Sequence, residues 1–145
     1  MSLLNYTTTI SAAKTIGEIQ QRLAAHGVGA VTVAYVDREP AAIAFSIATR
    51  LGTQTYRLPA NIDAIERLLE RLPRAKRTRD QATRVAWRII KDWVEAQTAI
   101  IQAGMVSMDQ IMLPFLETAP GGPLLYEAYL DHGMKLLTAG GGDRG

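Results

Sequence analysis

The chain has no cysteine, which excludes disulfide bridges, thiolate zinc sites and cysteine nucleophiles and fits a reducing compartment. Histidine is almost as scarce, with only His26 and His132. A metal centre needs three or four converging ligands, and neither histidine has a second ligand at helical spacing on a suitable face. No metal and no other cofactor is therefore expected. Long apolar runs are missing as well: no stretch approaches the ~18 apolar residues of a membrane span, and residues 1–10 lack the basic start and apolar run of a signal peptide. These absences predict a cytoplasmic protein with no membrane partner. The Gly27-Val28-Gly29 run precedes a strand pattern, whereas a dinucleotide-binding glycine turn follows a strand and opens a helix. It reads as a connector.

Catalytic groupings are equally thin. Ser11 and Ser107 stand where helices begin and read as caps, and Ser46 has no base in its sequence context. Asp37 and Glu39 are imaginable as an acid and a base, but two carboxylates in a turn are ordinarily solvated surface.

What the 145 residues do contain is enough for one domain over residues 1–139, followed by a glycine-rich tail over 140–145 expected to be disordered. Leu4, Tyr6, Thr8 and Ile10 alternate with polar residues and predict a first strand. Ser11 opens a helix whose Ile16, Ile19 and Leu23 share one face until His26-Gly27 stops it. Val31, Val33 and Tyr35, then Ile43, Phe45 and Ile47, then Gln54, Tyr56 and Leu58 predict three further strands, with turns at 37–40 and 51–53. Asn61 caps a helix with the stripe Ile62, Ile65, Leu68, Leu69 and Leu72, which Pro73 ends.

Thr78 and Gln81 match a capping box at the start of the longest helix, which runs to about Ala103 before Gly104. It carries two apolar stripes, one with Val85, Ala86, Ile89 and Trp93 and one with Trp87, Ile90, Val94 and Ile101. Two stripes imply two partners, the sheet being one, and C-terminal helices or the same helix of another subunit the second. A homo-oligomer, dimer or higher, through this helix is the expectation. Trp93 is expected to be buried and Trp87 to border a groove. Ser107 with Gln110 repeats the capping box for a short helix, and Pro120 to Pro123 precede a last amphipathic segment, Leu124 to Leu137. The order β-α-β-β-β-α-α-α predicts an α+β domain, a four-stranded, mostly antiparallel sheet packed against the long helix and a helical C-terminal half.

The net charge is only +2, yet residues 71–91 hold eight basic residues against a single acid, Asp80. Such segregation points to a basic surface facing an anionic partner. Arg74, Lys76, Arg77 and Arg79 lie in a linker, and Arg84, Arg88 and Lys91 fall at three- and four-residue spacing on the helix that follows, so all seven are candidates for gripping phosphates of DNA or RNA. Six neutralised phosphates would give a log–log salt slope on the order of −5. The competing account is local pairing, because Asp80–Arg84, Arg88–Asp92 and Lys91–Glu95 are each four apart. The linker cations have no such neighbours. Arg57, on the strand face opposite Tyr56, is an eighth candidate ligand contact.

Three segments, Asn5-Tyr6-Thr7-Thr8, Tyr56-Arg57-Leu58-Pro59 and the tryptophan-containing run from Arg84 to Gln97, resemble a group of small uncharacterised proteins encoded in bacteriophage and prophage regions. The likeness extends up to Leu116, with the tryptophan helix its most specific part. It implies a phage-related context and brings no chemistry with it.

The leading expectation is a non-enzymatic, phage-related accessory protein that binds nucleic acid through the basic linker and helix face. Behind it stands a homo-oligomer that sequesters a small anionic, nucleotide-like ligand or binds a host protein near Arg57 and the linker. A phosphate-directed enzyme ranks third, for want of a converging acid, base, nucleophile or metal cluster.

Overall fold

The computed structural model describes residues 5–142. It is an α+β fold. In chain order the elements are α1 (Ala12–Ala25), β1 (Gly29–Val36), β2 (Glu39–Thr49), β3 (Gly52–Pro59), α2 (Ile62–Leu69), α3 (Arg79–Gln102), α4 (Met108–Met112), a single 3-10 turn (Leu113–Phe115) and α5 (Leu125–Gly142). Among the described residues no helix is long and apolar enough to cross a membrane. The tail expected over 140–145 lies partly outside the described residues.

The three strands form an antiparallel meander, β1-β2-β3. Two-residue loops make both hairpins. Asp37 and Arg38, each at positive φ (50° and 65°), join Val36 to its partner Glu39, a geometry whose backbone twist matches that of the strands. At the second loop Gly52 takes φ 96°, and the Thr49 hydroxyl donates to its carbonyl at 2.8 Å. The register places Val33 beside Ile43, Ile43 beside Leu58 and Phe45 beside Tyr56. With a side-chain period of two, all these residues face the same way.

Onto that face pack Ile16, Ile19 and Leu23 of α1, Trp87 and Val94 of α3, and Met108 and Met112 of α4. Each fully buried aliphatic or phenylalanine side chain in such a core contributes about 1.5–3 kcal/mol. A second, smaller cluster joins Ile62 and Leu69 of α2 to Ala82 and Ala86 at the start of α3, with Tyr6, Leu72 and Ala75 against it. α3 therefore packs within the chain on two sides, its Trp87 stripe against α1 and the sheet and its first turns, at Ala82 and Ala86, against α2, while Ile100 near its end stays exposed.

Helix ends follow local chemistry. Side-chain oxygens of Ser11, Asn61, Thr78 and Ser107 each accept the backbone N–H three residues on, and Ser107 with Gln110 completes a reciprocal capping box. At Thr78 only half of the box forms, because the Gln81 side chain is used elsewhere.

Two expectations are corrected. The first strand does not appear in the described part of its span: Asn5–Thr7 is a turn, residues 8–10 are irregular, and the sheet has three strands rather than four. The alternation there is real, since Tyr6, Thr8 and Ile10 are half-buried while Thr7 and Thr9 are exposed. It arises because the segment lies along α3, where Gln81 Nε2 donates to the carbonyls of both Tyr6 (3.1 Å) and Thr8 (2.9 Å). The Thr8 N–H closes the turn on the Asn5 carbonyl at 3.0 Å, and one carboxamide gathers the Tyr6 and Thr8 carbonyls where a strand ladder was expected. The tryptophans are also reversed. Trp87 is fully buried and donates its indole N–H to the Pro40 carbonyl at 3.1 Å. Trp93 is only half-buried, edge-on to Phe115. The α3 stripe containing Trp87 meets the sheet, and a buried indole needs a hydrogen-bond acceptor, which the start of β2 supplies.

Candidate functional site

The linker between α2 and α3 starts with a tightening of the helix end, where Arg71 and Leu72 donate their N–H groups to carbonyls three residues back. Leu72 and Ala75 then turn into the second apolar cluster, while Arg74 and Lys76 are exposed. Arg74 takes φ 65°, which folds the linker sharply after Pro73. Arg77 reaches back to the Leu72 carbonyl at 3.3 Å and closes the loop on itself.

Opposite this loop runs the N-terminal segment, tied at one end by Asn5, whose side-chain amide donates to Asp92 at 2.7 Å, and along its length by Gln81. Between loop and segment lies a cleft of about 320 Å³ lined by Tyr6, Thr7, Thr8, Thr9, Arg74, Lys76, Gln81 and Arg84. Three cations and three threonines thus share one concavity, and no carboxylate lines it. Gln81, itself buried, is central to the construction. Its amide donors hold the segment, and its carbonyl oxygen accepts from Arg84 Nη1 at 3.3 Å. Arg84 also meets Asp80 at 2.6 Å, but the Asp80 side chain is largely exposed. Exposed pairs of this kind contribute about 0–1 kcal/mol, so an incoming anion competes with Asp80 at small cost.

The other cations proposed from the sequence are placed differently. Arg79 forks onto Glu39, with Nε to Oε2 at 2.8 Å and Nη2 to Oε1 at 2.7 Å, and also pairs with Asp63. Arg88 pairs with Glu18 of α1 at 2.9 Å and donates to Thr15. Lys91 pairs with Glu95 at 2.7 Å and with Glu18 at 3.6 Å. The Arg88 and Lys91 side chains keep only 16% and 14% of their exposure, so this part of the helix face is sealed by α1. Arg57 stands elsewhere, at β3, held by Glu117 at 2.7 Å and the Gly122 carbonyl at 3.1 Å. Of the eight candidates the fold brings Arg74, Lys76 and Arg84 together, keeps Arg77 beside them in the linker, and gives the other four carboxylate partners.

The ionisation of those partners agrees with the pairing. Hydrogen bonding from Arg79 holds Glu39 below the ordinary carboxylate range despite its burial, helped by the Arg79 charge and Thr83. Burial opposes ionisation of Glu18, yet the hydrogen bond from Arg88 and the charges of Arg88, Lys91 and Lys14 outweigh it and lower its pKa. The same contacts to Glu39 and Asp63 raise that of Arg79.

Two other concavities lack this convergence. A groove at the start of α5 is lined by Leu113, Pro114, Tyr126, Tyr129 and His132 and is almost wholly apolar. A wider recess between the β2–β3 loop and α4 contains Arg50, Asp109 and Tyr56, where burial and the Asp109 charge push the Tyr56 phenol up. Among the described residues no group of three or more His, Asp or Glu side chains is placed to hold a metal ion.

The Tyr6–Thr9 wall and the role of Gln81 are the parts of the cleft that sequence reasoning missed. Fold and site together define an α+β protein with a three-stranded meander and a cationic cleft outside its main core. Compared with family models, curated proteins and solved structures, the chain gives no match.

Proposed function

We propose that the protein is a non-enzymatic nucleic-acid-binding accessory protein that grips phosphate through Arg74, Lys76 and Arg84. One observation carries this reading: three cations from two chain segments line one cleft, and the one carboxylate paired with them, Asp80 on Arg84, is largely exposed and not part of the lining. Ionised donors around an anion form the strong class of hydrogen bonds, and threonine hydroxyls of the opposite wall add neutral ones. The resemblance to phage-encoded proteins is compatible with work on nucleic acid.

Only three cations are committed to the cleft, so the salt dependence should be shallower than the whole basic run would give. A log–log slope no steeper than about −2 to −3 is expected, the value for three neutralised phosphates. The test is a fluorescence-anisotropy titration with single-stranded DNA, duplex DNA and RNA at two salt concentrations, comparing wild type with the triple variant Arg74→Ala, Lys76→Ala, Arg84→Ala. Salt-dependent binding that the variant loses supports the proposal, and an absence of binding at low salt removes it.

A second reading keeps the cleft and changes the ligand to a small nucleotide-like anion. Its support is the volume, about 320 Å³, at the lower end of the range of small-molecule pockets. Melting shifts with nucleotides but not with oligonucleotides would favour it, since a ligand that prefers the folded state stabilises it by mass action.

A further inference from the structure

We infer that the cleft is a receptor for one doubly charged phosphate monoester, and that it does not track along a phosphodiester backbone. The inference rests on the phosphate-gripping role proposed above and deepens it. A strand drawn across a protein meets a phosphate at every nucleotide and needs a row of available cations to follow it. The only such row in the basic run is Arg84, Arg88 and Lys91 along α3, and the fold ends it after one residue. Glu18 of α1 takes both Arg88 and Lys91, Glu95 takes Lys91 again, and both side chains are mostly covered. What remains for a ligand is a point and not a line: Arg74 and Lys76 from the linker and Arg84 from α3, with Thr7, Thr8 and Thr9 across from them.

The charge balance favours the monoester. An internal phosphodiester has one negative charge, whereas a phosphate monoester has about −1.5 to −2 near neutral pH and three oxygens free to accept hydrogen bonds. With Asp80 counted against Arg84, two cations of the lining, Arg74 and Lys76, still have no carboxylate partner among the described residues, which is more than one charge requires and matches two. The monoester has two natural sources, the phosphorylated end of a nucleic-acid strand and a free mononucleotide, and the recognised chemistry is the same in both.

The experiment compares matched oligonucleotides with a phosphate or a hydroxyl at the 5′ end, labelled at the other end, and a second pair differing at the 3′ end. A terminal phosphate is expected to tighten binding about tenfold or more, the effect of one or two additional charge-assisted hydrogen bonds. The gain should vanish in Arg74→Ala/Lys76→Ala and persist in Arg50→Ala, a cation in the β2–β3 loop away from the cleft. Competition by a nucleoside monophosphate or inorganic phosphate tells whether the group is read alone or with the strand, and displacement by either supports the receptor. Equal affinity for phosphate and hydroxyl ends overturns the inference and leaves nucleic-acid binding standing. Stabilisation by the monophosphate with no oligonucleotide binding supports the receptor and removes the nucleic-acid reading. Failure of every phosphate-bearing probe overturns both.

Discussion

Arg79 and Glu39 are joined by two parallel hydrogen bonds of 2.8 and 2.7 Å, so the first residue of α3 is clamped to the first residue of β2. The same guanidinium meets Asp63 in the first turn of α2, which makes one side chain the junction of three elements. Arg79→Ala is expected to lower the denaturant midpoint, by an amount limited by the partial exposure of the pair. Arg79→Lys should recover little, because an ammonium cannot form the planar fork. Denaturant melts of both variants check this, and a wild-type midpoint for Arg79→Ala would show the clamp to be inert.

Gln81 should matter more than its place in a first helical turn suggests. Gln81→Ala leaves the Tyr6 and Thr8 carbonyls without their donor, and losing a partner for a buried polar group costs about 1–3 kcal/mol. The greater consequence is local. Amide hydrogen exchange over residues 5–10 should accelerate, and phosphate affinity should fall because one wall of the cleft is released. Unchanged exchange in that segment would contradict the arrangement.

The two tryptophans should be separable by fluorescence. With Trp87 buried and Trp93 half-buried, the variant Trp93→Phe is expected to retain a blue-shifted emission poorly quenched by acrylamide. Trp87→Phe should keep the quenchable component and lose about 1–3 kcal/mol of stability, because the Pro40 carbonyl then has no indole donor. The opposite quenching pattern would restore the assignment expected from sequence.

Acid should destabilise the fold through specific carboxylates. Glu39 and Glu18 have folded pKa values below their ordinary ones, so the folded state binds their protons less readily than the unfolded chain. Their contribution is full above the unfolded pKa and disappears as pH falls through the folded values. Stability should therefore drop below about pH 5. Glu39→Gln is expected to flatten part of that slope, which melts from pH 3 to 7 would reveal.

Much of the architecture was legible in the chain. The meander of β1, β2 and β3 was visible because apolar residues alternate with a period of two, and the helix starts were visible because Ser11, Asn61, Thr78 and Ser107 cap them through contacts three residues away. Residues 4–10 misled for a physical reason. Alternation reports that every second side chain is covered, and it is silent on whether the segment is a strand or a turn and on whether a sheet or a helix does the covering. The charge run had the same ambiguity, since a sequence displays the cation and not the carboxylate that folding brings to it.

The division follows range. Local periodicity, caps and turns determined the α+β class, the element starts and the basic concentration between residues 71 and 91, because each depends on neighbours a few positions apart. Tertiary structure alone decided that Glu18, 70 positions from Arg88, and Glu39, 40 positions from Arg79, would neutralise those cations. It also decided that Gln81 would draw Tyr6 and Thr8, more than 70 positions away, into the wall of a cleft. Long-range pairing of charges and hydrogen-bonding groups depends on where the apolar faces pack, and that is set by the whole chain.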